Sequence, residues 1–213
     1  MVKWAMNVMR REKLPLTVQH ANQLLGLYVK AMAASKNGQA TKLGANFDLK
    51  ALAADAFELF ENLEIGSGKN YKGVPSIEMD ETSYNSLIYI CCASDDPIRG
   101  LEFLHTRMGQ VPPKAASFNI VIWSFARIGD SQSCIDILTM MNNRGVTPDS
   151  STANAITVAH LFNSDIHGSI SAVQSIWNMY QVLPSVENMF KIIQAGAKPD
   201  RRGKPLYFPE YKR

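Results

Sequence analysis

The chain has 213 residues, 46% of them hydrophobic and 19% charged, and a formal charge of +3. That length holds one good-sized domain or a short repeat array, and no apolar run approaches the roughly eighteen residues a membrane span needs. Three cysteines, Cys91, Cys92 and Cys134, lack metal-ligand spacing and a C-x-x-C pair, which excludes a disulfide framework and reads as reduced core thiols.

The opening stretch "WAMNVMRREKLPLT", Trp4 to Thr17, has the pattern of the second helix of a hairpin followed by a stop. The expectation is that residues 1–17 begin in mid-repeat, their first helix lying upstream or another chain covering that face. No cationic, acid-poor presequence is visible ahead of it. Next, "HANQLL" (His20 to Leu25) places Asn22 in front of two leucines. "ADAFELFENL" (Ala54 to Leu63) comes after it, with Phe57 and Phe60 at helical spacing. Between and after these lie two Gly-, Asn-, Ser- and Lys-rich insertions, Ala34 to Lys50 and Gly66 to Glu78, which read as surface loops. "GSGKN" in the second lacks the first Gly and the Ser/Thr of a phosphate loop and comes after a helix, so it is a loop with Lys69 and Lys72 open to phosphate or an acidic partner.

"SYNSLI" (Ser83 to Ile88) brings an Asn directly after an aromatic, although Asn is a mediocre helix former. "SFNIVI" (Ser117 to Ile122) repeats the arrangement 34 residues later, and "TANAIT" repeats it after 35 more, at Asn154. Asn22 lies 63 residues before Asn85, one period plus the insertions. Second helices are expected in "IRGLEFLHTRM" (Ile98 to Met108), "SCIDILTMM" (Ser133 to Met141) and "SAVQSIWNMY" (Ser171 to Tyr180). Their apolar positions include Leu101, Leu104, Ile135, Leu138, Val173, Ile176 and Trp177. Met140, Met141, Trp123 and Trp177 read as core rather than as a cofactor box. Asp95-Asp96-Pro97, Gly129-Asp130-Ser131 and Asp149-Ser150-Ser151 supply start signals, and "GQVPPK", "RGVTPD" and "VLPS" supply stops, with Gly or Pro ending each second helix.

The unit is therefore helix, turn, helix, stop, about 35 residues long, and no alternating β pattern of useful length is present. A single hairpin cannot bury its own stripe, so hairpins must stack. The expected class is all-α: an α-solenoid of helix-turn-helix hairpins with an extended tail. Its expected layout is 1–17, then repeats at 18–80, 81–114, 115–149 and 150–185, a capping helix at 186–197 and a tail at 198–213.

"SFNIVIWSFARIGDSQSCIDILTMMNNRGVTPD" (Ser117 to Asp149), and next to it Ser83 to Lys114, resembles a pentatricopeptide repeat. The resemblance implies single-stranded RNA binding in a mitochondrion or plastid, one base per repeat. Each base would be read by the first-helix Asn and the last residue of the repeat. Carried over, the reading pairs are Asn22 with Asp80, Asn85 with Lys114, Asn119 with Asp149, and Asn154 with Ser185, leaning to pyrimidines. An amide offers a donor and an acceptor to a Watson–Crick edge, and Asp beside it can orient it. Lys114 accepts no hydrogen bond and departs from the usual pair. The positions that carry an apolar base platform in the family are here Gln19, Thr82, Ala116 and Ser151. The bland alternative is that each Asn hydrogen-bonds a neighbouring repeat or caps a turn.

The four histidines, His20, His105, His160 and His167, have no carboxylate or cysteine partner at catalytic or zinc spacing, so neither enzyme, cofactor nor metal is expected. The tail from Lys198 to Arg213 carries six Lys/Arg against two acids, hence +4, and leaves about −1 for the rest. Arg201, Arg202 and Lys204 with Tyr207, Phe208 and Tyr211 make it a candidate anchor on protein or RNA. Pro199, Pro205 and Pro209 oppose helix there. The reading is a non-catalytic component of an organellar ribonucleoprotein, foremost a mitochondrial ribosome, touching RNA and neighbouring proteins. The alternatives are a scaffold subunit without RNA contact and a free RNA-processing or stability factor.

Overall fold

The computed structural model describes residues 8, 11–12, 16–36, 48–65, 76–106 and 111–197. All regular structure among the described residues is helical: α1 (Val18–Lys36), α2 (Leu49–Ile65), α3 (Glu81–Ala93), α4 (Pro97–Thr106), α5 (Ala115–Ala126), α6 (Ser131–Asn143), α7 (Ser150–Phe162), α8 (Ile166–Tyr180) and α9 (Val186–Ala197). The chain divides into two compact units, Met1–Pro113 and Lys114–Arg213. Most of the first insertion, most of the second, most of 1–17, Met108 and the whole tail lie outside the described residues. Ala34–Lys36, read as loop, instead extend α1.

Helix starts obey side-chain chemistry. Asp80, Asp96, Asp130, Asp149 and Asp165 each accept the backbone N–H three residues on, satisfying a donor the helix leaves orphaned. Asp149 and Thr152 do this reciprocally, as a capping box. Stops vary more. Gly145 takes the left-handed φ of 68° after α6, whereas α8 is closed by Gln181 at φ 56°, a non-glycine in the glycine's role. Its side-chain amide donates to the Trp177 carbonyl at 2.9 Å, which holds the last turn without glycine.

In the first unit α1 packs on α2 and α3, and α3 packs on α2 and α4. Leu25, Met32, Phe60, Leu63, Leu87, Ile88 and Leu104 are almost wholly enclosed, and each such side chain contributes about 1.5–3 kcal/mol by leaving water. The Arg99 guanidinium lies 3.9 Å from the centre of the Phe57 ring, a cation–π contact at the edge of this core. In the second unit α5 packs on α6 and α7, α7 on α6 and α8, and α9 on α7 and α8. Phe118, Val121, Ile122, Ile137, Met141 and Ile156 are enclosed there, and Ile166, Val173 and Ile192 form a smaller cluster. Cys91, Cys92 and Cys134 are buried thiols. Burial pushes the Cys91 and Cys134 thiols up to about 12, so both are inert at neutral pH.

Four core expectations need correction. Trp177 is 42% exposed and Ile135 39% exposed, although both fall on an apolar period. The inward face of α8 runs Ile166, Ser169, Val173, Ile176, and Trp177 is turned about 100° past it. Met140 and Trp123 are half-buried rather than enclosed. Trp123 instead donates its indole N–H to Ser151 at 3.0 Å.

Candidate nucleic-acid interface

First helices share one register, counted from the capping residue. The third residue on is small and polar or imidazole, the fourth is apolar and inward, and the fifth is the asparagine: His20, Ala21, Asn22; Ser83, Tyr84, Asn85; Ser117, Phe118, Asn119; Thr152, Ala153, Asn154. At its own start, Thr17 uses its N–H and hydroxyl on His20 Nδ1, a local cap in the same frame.

In the first unit the Asn22 amide nitrogen donates to Asp80, lying 3.1 and 3.0 Å from its two oxygens. The Ser83 hydroxyl donates to Asn22 Oδ1 at 2.6 Å. Asp80 simultaneously caps α3 through the Ser83 N–H at 2.9 Å. The second unit builds the same triad. Asn119 Nδ2 donates to Asp149 at 3.0 Å, the Thr152 hydroxyl donates to Asn119 Oδ1 at 2.7 Å, and Asp149 caps α7. An ionised carboxylate only accepts, so the amide nitrogen must face the Asp and the amide oxygen the hydroxyl. Each asparagine thus ties one first helix to the start of the next.

Asn154 is held differently. Its Oδ1 accepts the Ser185 backbone N–H at 2.7 Å, and the Ser185 hydroxyl accepts the Asn188 N–H at 3.4 Å. Asn85 lies in the first unit and Lys114 in the second. Asn85 Oδ1 is buried and finds no hydrogen-bond partner among the described residues, and the same holds for the Ser117 hydroxyl. Lys114 caps α5 by backbone alone, since ammonium cannot accept an N–H. Asn119 is the most enclosed of the four, 7% exposed, while Asn22, Asn85 and Asn154 are half-buried. Of the platform positions Gln19, Thr82 and Ala116 are exposed and Ser151 half-buried. Tail residues Arg201, Arg202, Lys204, Tyr207, Phe208 and Tyr211 lie outside the described residues, as do Lys69 and Lys72.

Sequence pattern alone does not single out Ser83 and Thr152, yet they complete the triads. A signal for them exists: a small polar residue stands two positions before the asparagine in each of the last three copies. One histidine nevertheless meets a carboxylate. His160 Nδ1 lies 2.9 Å from Asp165 Oδ2 across the α7–α8 turn. A Cβ on Gly168 would collide with both side chains, so the glycine makes room for that contact. Among the described residues no cluster of three His, Cys, Asp or Glu is placed to hold a metal, and no helix is long and apolar enough to cross a membrane.

Burial alone would raise the Asp80 and Asp149 carboxyls, but hydrogen bonds outweigh it. Backbone N–H groups of Ser83 and Thr152, the two asparagine amides and the two hydroxyls together hold both below the usual range. A depressed folded value means that this stabilisation is complete above the unfolded carboxyl value of about 4 and is lost as pH falls through the folded values. Thermal unfolding measured from pH 6 to pH 2.5 is expected to show a steeper loss for the native chain than for Asp80→Asn/Asp149→Asn. Parallel curves would show that the two carboxylates do not stabilise the fold.

A model described as pentatricopeptide repeat-containing protein matches residues 101–197, and a PPR repeat model matches residues 82–106. Together the matches run from residue 82 to 197, more than half of the 213 residues. No curated protein matches the sequence. Among solved structures, the chain is similar to the PPR domain of Arabidopsis thaliana protein-only RNase P 1 in complex with tRNA. Identity there is 15%, the TM-score is 0.60, and 89% of this chain and 85% of that one are covered. Nuclear proteinaceous RNase P 2 from A. thaliana is similar at 14% identity and TM-score 0.60, over 93% of this chain and 42% of that one. The pentatricopeptide repeat protein PPR10 from maize is similar at 15% identity and TM-score 0.53, over 92% and 34%. The chain thus spans less than half of each of the last two. In class the fold is an all-α helical-repeat solenoid.

Proposed function

Because the chain belongs to the pentatricopeptide repeat family, we propose that it binds single-stranded RNA as a non-catalytic component of an organellar ribonucleoprotein. The observation that carries this reading is the Asn–Asp–hydroxyl triad, present once in each unit. Asn119 uses one N–H on Asp149 and one lone pair on Thr152. It keeps one donor and one acceptor in a fixed orientation, the pair a pyrimidine edge needs. Asn22 with Asp80 is the equivalent in the first unit, and Asn154 with Ser185 and Asn85 with Lys114 are the further reading positions. Arg201, Arg202, Lys204, Tyr207, Phe208 and Tyr211 anchor the chain to RNA phosphate or to neighbouring protein, because the body ahead of the tail sums to about −1. A mitochondrial ribosome is the assembly we favour, with a plastid complex the other setting.

A second reading rests on the enclosure of Asn119, at 7% exposure. There the triads are latches between successive first helices, and the protein is a scaffold subunit without RNA contact. Purified protein is to be titrated with short U/C-rich and purine-rich RNAs at two salt concentrations, beside a chain stopped after Ala197. Selective binding to the U/C-rich RNA is the expected result, with the truncated chain showing a shallower salt slope. Loss of all binding on truncation would leave the tail as the anchor and remove the reading role of the asparagines. No binding by the full chain would favour the scaffold.

A further inference from the structure

Each second helix carries one small, enclosed residue: Ala56 on α2, Gly100 on α4, Cys134 on α6 and Ser169 on α8. Cys134 and Ser169 lie against their first helices, donating to the Ile122 and Thr157 carbonyls at 3.5 and 3.3 Å. These four residues set the second helices in one register. Counted from them, the earlier helix of a neighbouring pair offers the residues one and four positions on. The later helix offers the residues one position before and three positions on.

In the first unit those positions are Phe57 and Phe60 on α2, and Arg99 and Phe103 on α4. They fill the space between the two second helices. The Phe103 ring centre lies 5.4 Å from that of Phe57 and 6.4 Å from that of Phe60, and the Arg99 guanidinium lies over Phe57. Aromatic pairs and a cation–π contact thus close the gap.

The second unit has Ile135 and Leu138 on α6 at the same positions, facing Gly168 and Ala172 on α8. Both fillers are absent. The room that Gly168 leaves is taken by the contact of His160 with Asp165. No ring stands in the place of Phe103, and the result is an apolar cleft of about 380 Å³ lined by these four residues, with Ile156 of α7 among the others. It runs along α8 from Gly168 to Met179, about 16 Å. Met179, at its far end, is 62% exposed.

We propose that this cleft is a docking site for a partner protein, which inserts an aromatic side chain where the first unit has Phe103. The first unit shows which chemistry completes such a seat. Among the described residues the walls hold no Lys or Arg, so an RNA backbone finds no counter-charge there. A length of three helical turns suits a peptide segment with further apolar side chains better than one free ring. Aromatic side chains are recurrent anchors of protein interfaces, and they reach full effect in desolvated pockets of this kind. Ser171, Ala172 and Ser175 keep the α8 wall low, which lets a second backbone come close. The inference does not depend on RNA binding.

The test uses the full chain with Ala172→Phe, which puts a ring at the position of Phe103, and with Gln174→Phe, an exposed control on the same helix. A display library of short peptides is selected on the native chain, and the retained peptides are titrated by fluorescence polarisation. They are expected to share an aromatic residue among apolar ones. Replacing that residue by alanine should weaken binding roughly tenfold or more, Ala172→Phe should do the same, and Gln174→Phe should leave it unchanged. Ser171→Phe, exposed at the rim, supplies the block if Ala172→Phe does not fold. No retained peptide, or retained peptides that bind the blocked chains as tightly as the native one, would overturn the proposal. N-acetylphenylalanine amide binding as tightly as the peptides would overturn it in favour of a free aromatic ligand. Concentration-dependent dimers of the native chain, abolished by Ala172→Phe, would overturn it in favour of a second copy.

Discussion

Phe60→Ala is expected to destabilise the protein by about 3–5 kcal/mol, the range for emptying an enclosed aromatic site. Phe60 is 1% exposed and stands where three helices of the first unit meet. Its ring centre lies 5.5 Å from that of Tyr84 and 6.4 Å from that of Phe103, both edge-on. Such pairs add about 0.5–1.5 kcal/mol to the transfer of the ring itself. The loss cannot be recovered by collapse, because Tyr84 is tethered at its far end, its hydroxyl donating to Glu64 at 3.1 Å. Phe60→Leu keeps much of the volume and should cost about 1.5 kcal/mol or less, as volume-conserving exchanges do. Urea unfolding monitored by far-ultraviolet dichroism separates the two. At a slope of about 1–3 kcal/mol per molar, the alanine variant should unfold at least 1 M earlier than the native chain. A loss under about 1 kcal/mol would show that neighbouring side chains refill the space and that the aromatic group is not the keystone of this unit.

Much of this is legible in the sequence, for reasons that particular residues make plain. Phe60, Leu87, Phe118 and Ile122 recur at helical spacing between caps and stops, and local chemistry alone sets those features. Phase within a helix is less legible. Trp177 and Ile176 are adjacent and both apolar, and only the tertiary neighbours decide that Ile176 turns inward, at 2% exposed, and Trp177 outward. The triads sit between these cases. Register marks the asparagines, and the family resemblance supplies Asp80 and Asp149. The bond from Asn22 to Asp80 spans 58 positions and an insertion, which no local pattern encodes. Ser83 and Thr152 escape notice because a serine or threonine three residues into a helix looks like ordinary capping, and it is also that.

Asn119→Ala should cost about 1–3 kcal/mol of stability, the usual penalty for leaving buried polar partners unmatched. Both partners are affected. Thr152 loses the 2.7 Å acceptor of its hydroxyl, although Asp149 Oδ1 at 3.2 Å can take over that proton. Asp149 loses one donor but keeps the Thr152 N–H, so α7 remains capped. The deficit should therefore fall mostly on coupling between the helices. A cycle with Thr152→Val is expected to return an interaction of about 0.5–3 kcal/mol, the range for side chains sharing one network. Asn119→Asp should be worse than alanine at neutral pH, because it sets a second carboxylate against Asp149 in place of the amide N–H that Asp149 accepts. It should recover as pH falls and one acid protonates. The RNA arm decides what the latch is for. With the variant still folded, roughly tenfold weaker binding to U/C-rich RNA and unchanged weak binding to purine-rich RNA is the expected pattern, about 1.4 kcal/mol. Unchanged affinity beside the full stability loss would mean that a side chain 7% exposed serves the solenoid and not the base. The half-buried Asn22, whose triad is the same in kind, would then be the position to substitute next, since it is the more accessible of the two.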